Sequence, residues 1–258
     1  MIKVFSFIAS MAGEKSGTAR YSDDLAAVLR KTAEAAGEEI SYERMTGNQL
    51  RVDYCLSCLN CFQKGICPLD SRDDMPILKK KLLESDILFI GSPVYMGEMS
   101  GLMKSAVDRL SYWGHRYELA GKPAAIFTTT DASFGQEVAD RLADRLEFSG
   151  LVPVHTGHAK RGMGLHPNLY LASDMMPIYE EAAQKLLQAL ASPADFLGEF
   201  AEINFKSRKR LANRGLKLAR VTGIPTWEEC LVLERRGILQ AETYADYLRD
   251  ASRGKRGE

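Results

Sequence analysis

The feature that most constrains this chain is a series of short, nearly continuous apolar runs, each followed by a loop and then by a stretch with helical spacing. The runs are "IKVFSFIAS", "EEISYERM", "ILFIGSPVY", "KPAAIFTTT" and "LVPVHTGHA". Continuous β-branched and aromatic runs suit strands buried on both faces, which is the environment inside a parallel sheet. Between them lie "TARYSDDLAAVLRKTAEAAG", "RDDMPILKKKLLESD", "SGLMKSAVDRLSYW" and "GQEVADRLADRLEFSG", with caps, an early Pro or a Gly stop at their ends. Strand and helix alternate in this way only where right-handed crossovers wind helices onto both faces of one sheet. The expected fold is therefore α/β, a doubly wound parallel five-stranded sheet over residues 1–192.

After "MMPIYEEAAQKLLQALAS" the texture changes at Ser192-Pro193. Residues 193–258 contain no convincing strand and predict two or three amphipathic helices with a basic end, a helical C-terminal extension. The stretch "KSRKRLANRGLKLAR" is basic at nearly helical spacing, which reads first as a solvated helix face and second as a contact for nucleic acid or an acidic protein. Over the whole chain 34 Lys and Arg balance 34 Asp and Glu, so no global field recruits nucleic acid or an anionic membrane. No apolar segment approaches the roughly 20 residues needed to cross a bilayer, and the amino-terminal run reads as a strand rather than an export signal. The expected location is cytoplasmic, where thiols stay reduced.

That matters because four of the five cysteines, Cys55, Cys58, Cys61 and Cys67, fall in "CLSCLNCFQKGICP". The C-x2-C-x2-C-x5-C spacing, followed by Pro68, is that of an iron–sulfur wrap, in which closely spaced thiolates surround a cluster and amides point at the sulfurs. Zinc is a second reading, although tetrahedral zinc usually joins two separated knuckles. Free or redox-active thiols in a covering loop are a third. Cys230, alone on a predicted helix, reads as a packed small apolar residue.

Ligands of wound sheets bind beyond the carboxyl ends of the strands. Three loops fall there. The first, Ser10 to Thr18, offers the hydroxyls of Ser10, Ser16 and Thr18, Lys15, Gly17 and a helix amino terminus suited to a phosphate. It matches neither the Walker A nor the dinucleotide Gly-x-Gly-x-x-Gly pattern. The second, with Pro93, Val94, Tyr95, Met96 and Gly97, places an aromatic and a thioether where they can pack on a flat heterocycle. The third, with Thr129, Thr130, Asp131, Phe134 and Gly135, again combines hydroxyls, an aromatic and Gly. Each loop alone is equally well a helix cap or a turn.

Taken together, "CLSCLNCFQKGICPLDSRDDM" and "SPVYMGEMSGLMKSAVDRL" resemble the flavodoxin-like NAD(P)H-dependent FMN reductase family, and within it the iron–sulfur flavoproteins. The resemblance covers about the first 190 residues. It implies a strand order of 2-1-3-4-5, FMN at the strand ends and a [4Fe–4S] cluster on Cys55, Cys58, Cys61 and Cys67. Ser10, Ser16, Gly17 and Thr18 would then meet the FMN phosphate, Pro93 to Gly97 the ribityl chain and ring, and Thr129 to Gly135 the ring's other edge. The family's usual "GSPR" opening is replaced by Ala9-Ser10-Met11-Ala12, so its Arg is missing and Lys15 stands in the same loop.

The resemblance also implies NAD(P)H as a possible donor, a small-molecule or protein electron donor and acceptor, and a homodimer or homotetramer. Flavin chemistry requires no essential protein acid or base. This agrees with the sequence, in which no Ser-His-Asp or paired-carboxylate constellation stands out. Asp73 and Asp74 read as helix caps, Asp108 and Arg109 as a structural pair, and His155, His158 and His166 as surface or supporting positions. Two other functions remain open at this stage, a cluster-free NAD(P)H:quinone or FMN reductase and a non-catalytic electron carrier or partner-binding flavoprotein.

Overall fold

The computed structural model describes residues 1–131, 133–160 and 172–254. His166 lies outside them. Five long strands form the sheet: β1 (Ile2–Ile8), β2 (Ile40–Thr46), β3 (Ile87–Tyr95), β5 (Pro123–Thr130) and β6 (Val152–Lys160). They run parallel in the order β2-β1-β3-β5-β6, and the two-residue β4 (Glu98–Met99) pairs antiparallel to the end of β3. Counting long strands only, this is the expected 2-1-3-4-5 order. The extra strand is a short hairpin return, too brief for an apolar pattern to announce.

Side-chain alternation divides the core into two layers. On one face Val4, Ile8, Phe89 and Phe127 pack under α1 (Gly17–Ala35) and α6 (Ala172–Ala191). On the other Phe5, Phe7, Leu88 and Ile126 pack under α3 (Met75–Glu84), α4 (Gly101–Arg109) and α5 (Gly135–Glu147). A short α2 (Asn60–Lys64) lies within the cysteine segment. Helix ends follow local chemistry. Ser16 caps α1 by accepting the Ala19 amide at 3.0 Å, and Gly37, at φ 79°, ends it in the left-handed conformation that glycine adopts without strain. Ser100 caps α4 through the Met103 amide at 3.2 Å.

His155 is half-buried and takes the supporting one of its two expected roles. Its Nε2 lies 2.8 Å from the Tyr21 hydroxyl, beneath α1, and Tyr21 stacks on Phe127 with ring centroids 4.3 Å apart. Burial, with Lys185 nearby, pulls the imidazole down to about 4. The unfolded chain, with an ordinary value of 6.5, binds this proton at a higher pH, so stability falls as pH drops from about 6.5 to about 4. The full contribution is about 3 kcal/mol. Denaturant melts across that window should show wild type losing about this much more than His155→Gln. Parallel losses would exclude the effect. His158, by contrast, is exposed and pairs with Gln136 at 3.2 Å.

The C-terminal extension folds as α7 (Glu199–Thr222), α8 (Glu228–Arg235) and α9 (Tyr244–Gly254). It forms a third core around Phe205, Leu216, Cys230, Leu233 and Tyr244, which closes on Tyr117 from the sheet-bearing region. Cys230 is packed there, as expected. The Tyr244 hydroxyl donates to the Gly150 carbonyl and accepts the Gly121 amide at 3.1 Å, attaching the extension to the loops that enter β5 and β6.

Candidate functional site

The three strand-end loops meet around one cleft of roughly 310 Å³. The first loop contributes Ser10, Ala12, Lys15, Ser16, Gly17 and Thr18, the second Pro93, Val94 and Tyr95, and the third Thr129, Thr130 and Asp131. Eleven of the residues singled out in the sequence are thus gathered in one place. Met96, Gly97, Phe134 and Gly135 lie beyond the cleft lining. There Phe134 approaches Gly97, a Cβ on which would sit 3.4 Å from the ring, while the Gly135 carbonyl accepts the Thr128 hydroxyl at 2.7 Å. Tyr95, Met96 and Phe134 are all exposed, so an uncovered apolar surface continues from the polar cleft.

The polar end has the character of an anion cradle. Ser16 accepts the Ala19 amide, and its carbonyl accepts Arg20 at 3.1 Å, so within the first turn of α1 the amides of Gly17 and Thr18 have no helical carbonyl to meet. The Ser16 hydroxyl hydrogen, the Lys15 ammonium and the helix dipole add to the same field. The Thr18 and Thr129 hydroxyls lie 2.6 Å apart and tie the first loop to the end of β5. The Ser100 hydroxyl donates to the Ala9 carbonyl at 2.8 Å, and the Ser100 amide donates to Ser92 at 2.9 Å, which fixes the first and second loops to the start of α4. A phosphate fits the amide-rich end, and a flat ring fits the exposed Tyr95, Met96 and Phe134 surface, so these residues suit FMN. Lys15, the cation read in place of the family's Arg, is in the lining, and Ala12 completes it. The only sequence signal of Ala12 was its place in a loop before a helix.

The cysteine segment lies along the opposite end of α4. Cys55 and Cys58 are exposed, Cys61 is half-buried and Cys67 is buried. Ser57 and Leu59 hold positive φ values of 52° and 60°, and the Ser57 amide points at Cys55 Sγ from 3.5 Å. The Asn60 backbone and side chain hold the Cys58 thiol below its usual value. Burial and then the nearby Cys67 and Cys55 push the Cys61 thiol up. Among the described residues, however, no group of three or more His, Cys, Asp or Glu side chains is gathered closely enough to hold a metal ion. In donor type, four thiols with amides directed at sulfur, the set fits an iron–sulfur cluster; in arrangement it is open.

Both ends of this segment are held by Arg109, whose side chain is fully buried. Its guanidinium donates to the Asp53 carbonyl at 3.1 Å before the cysteines, and to Asp70 at 2.8 Å and to Asp73 after them. Asp70 also accepts Lys79 at 2.6 Å, and Asp73 accepts the amides of Asp53 at 2.9 Å and Met75 at 3.2 Å. Burial alone would raise the Asp73 carboxyl, but the bonds from Arg109 and these amides outweigh it and hold Asp73 below the ordinary carboxylate range. Two expectations are corrected here. Arg109 does not pair with Asp108, which binds Lys104 at 2.6 Å on the surface. Asp73 is a buried ion-pair partner more than a cap, and Asp74 makes no side-chain cap, accepting the Arg51 amide at 2.8 Å instead.

The extension also reaches this segment. Arg116 donates to the Cys61 carbonyl at 3.1 Å, and Arg236 beside α8 donates to the Arg116 carbonyl at 2.9 Å. The Phe62 and His115 rings meet edge to face at 4.9 Å, with Glu229 of α8 lying 3.0 Å from His115 Nδ1.

A wound sheet whose long strands run 2-1-3-4-5, with an anion cradle beyond their ends, is the flavodoxin-like arrangement. The chain belongs to the NADPH-dependent FMN reductase family, whose model matches residues 2–163. Among curated relatives it is 36% identical over 138 residues to an iron–sulfur flavoprotein of Archaeoglobus fulgidus, covering 53% of this chain and 60% of that protein. It is 27% identical over 120 residues to an iron–sulfur flavoprotein of Clostridioides difficile, covering 46% and 52%. The chain therefore spans only about half to three-fifths of the length of these relatives. An oxidoreductase from Corynebacterium diphtheriae shares the fold at a TM-score of 0.53 and 19% identity, covering 74% of this chain and 97% of that one. A flavone reductase does so at 0.53 and 11%, covering 77% and 66%. Among the described residues no helix is long and apolar enough to cross a membrane.

Proposed function

We propose that this chain is an FMN-dependent oxidoreductase that takes electrons from NAD(P)H or another donor and passes them to an acceptor, with Cys55, Cys58, Cys61 and Cys67 as the ligand set for a [4Fe–4S] cluster. The observation that supports it is the convergence of three strand-end loops on one cleft whose amide-rich floor adjoins an exposed apolar surface. When bound, FMN supplies two-electron acceptance and single-electron release, and a cluster supplies one-electron acceptance. The protein's part is placement. Gly17, Thr18, Ser16 and Lys15 would hold the phosphate, the Thr18–Thr129 pair would keep its floor closed, and Tyr95 and its neighbours would cover the ring. The titratable groups lining the cleft are Lys15, Tyr95 and Asp131, which accords with a reaction that draws no proton from a dedicated acid or base.

The test is an anaerobic preparation with flavin, iron and sulfide quantified, followed by NADPH oxidation with quinone or free flavin as acceptor. The expected result is stoichiometric FMN, iron matched by labile sulfide, and steady turnover. Folded protein that takes up no FMN from excess would sink the whole reading. FMN without iron would leave the cluster-free quinone or FMN reductase, which the open arrangement of the thiols favours as the second reading.

A further inference from the structure

A helix docked on a globular core normally turns a polar face outward. The outer face of α7 instead carries a line of apolar side chains among its cations. Its inner face, Ala201, Phe205, Ala212 and Leu216, is buried in the third core, yet Ile203, Leu211, Leu218 and Val221 recur along the opposite side in the open, and Ile224 continues the stripe beyond the helix end. Val221 is 77% exposed and Leu218 60%. Trp227 ends the same stretch, also uncovered. Exposed apolar side chains in one line mark a surface that meets something.

Charge identifies the kind of partner. From Ile203 to Trp227 the sequence has seven Lys and Arg and no Asp or Glu, in a chain whose overall charge is zero. Three of these cations are engaged, Arg208 with His115, Lys209 with the Ala241 carbonyl and Arg220 with Glu234. The other four, Lys206, Arg210, Arg214 and Lys217, are exposed and have no carboxylate partner among the described residues. Arg210 and Arg214 stand between the apolar side chains and Lys206 and Lys217 flank them, as a helix turn of about 3.6 residues requires. A second copy of the chain, meeting this face through a two-fold axis, would bring the same cations against themselves. Nucleic acid would satisfy the cations but leave the apolar stripe in water. An anionic lipid surface satisfies both, taking the stripe into the acyl boundary and the cations among the headgroups.

We propose that α7 and the turn to Trp227 form a docking face for an anionic membrane surface, on which the protein lies without spanning it. This surface belongs to the extension and does not depend on what fills the cleft.

The experiment is flotation of the full-length protein, as purified, with unilamellar vesicles of equal parts phosphatidylglycerol and phosphatidylcholine, compared with pure phosphatidylcholine. Analytical ultracentrifugation is run on the same samples. Leu211→Glu/Leu218→Glu is the main variant, with its folding checked by circular dichroism and thermal melting. Arg214→Glu, which leaves the apolar stripe whole, is the second.

The expected result is partition onto the anionic vesicles alone, weakened by added salt. It should fall at least tenfold in the double variant and about fivefold or more in Arg214→Glu. Equal partition of wild type and double variant, or none onto anionic vesicles, overturns the proposal. So does a self-associated state that the double variant dissociates while vesicles capture nothing, because the face would then belong to a second copy.

Discussion

Replacing Arg109 with methionine is expected to lower the unfolding free energy by about 3–5 kcal/mol, read as a shift of the urea midpoint at unchanged slope. The size of the effect comes from what is left behind. Asp70 keeps Lys79, but Asp73, whose side chain is as fully buried as that of Arg109, would retain only backbone amides to meet its charge. An ionised carboxylate stranded in this way costs several kcal/mol, and the Asp53 carbonyl loses a donor as well. The same reasoning fixes the sign of a second experiment. Arg109→Met/Asp73→Asn removes the stranded charge, so the double variant should be less destabilised than the sum of the two single ones. A loss below about 1 kcal/mol in Arg109→Met would place the network among the weak surface pairs, contrary to its burial.

The second large effect concerns the cleft. Lys15→Glu is expected to weaken FMN binding to the apoprotein about thirtyfold while leaving riboflavin binding unchanged, both followed by quenching of flavin fluorescence. The substitution changes the local charge by two, and a phosphate near −2 at about 8 Å in a water-like dielectric then loses about 2 kcal/mol. Lys15 is exposed, so its replacement should leave the melting temperature in place. Riboflavin lacks the phosphate and serves as the internal control. Equal loss for both flavins, or no loss for FMN, would mean that the phosphate does not lie at the amino terminus of α1.

Much of the scaffold was legible in the chain because its signals are local. The runs "ILFIGSPVY" and "KPAAIFTTT" coincide with β3 and β5, since a strand covered on both faces carries no charge and places its few polar residues, Ser92 and Thr128 to Thr130, at the cleft end. The loops that line the cleft were legible for a topological reason: parallel winding puts their tips on one side whatever their sequence. Arg109 was not read correctly, although a signal existed. It falls three residues after buried Ala106 and six after buried Met103, on the apolar stripe of α4, where a cation requires a buried counter-charge. His155 takes the supporting place of its two readings, but nothing local shows that its partner is Tyr21, far away in the chain. The basic stretch of α7 was read as a solvated face, and Lys206, Arg210, Arg214 and Lys217 are exposed; the apolar side chains that share this face were not read from sequence. Only packing shows which of two amphipathic faces is turned inward.

The guanidinium that grips the chain before Cys55 and after Cys67 has one more consequence, a polymer-physical one. A flexible segment of about 20 residues sacrifices about 3 kcal/mol of entropy when its ends are brought together. Here that closure is made by the fold itself, so an inorganic guest recruiting the thiols would need only to order the ring's interior.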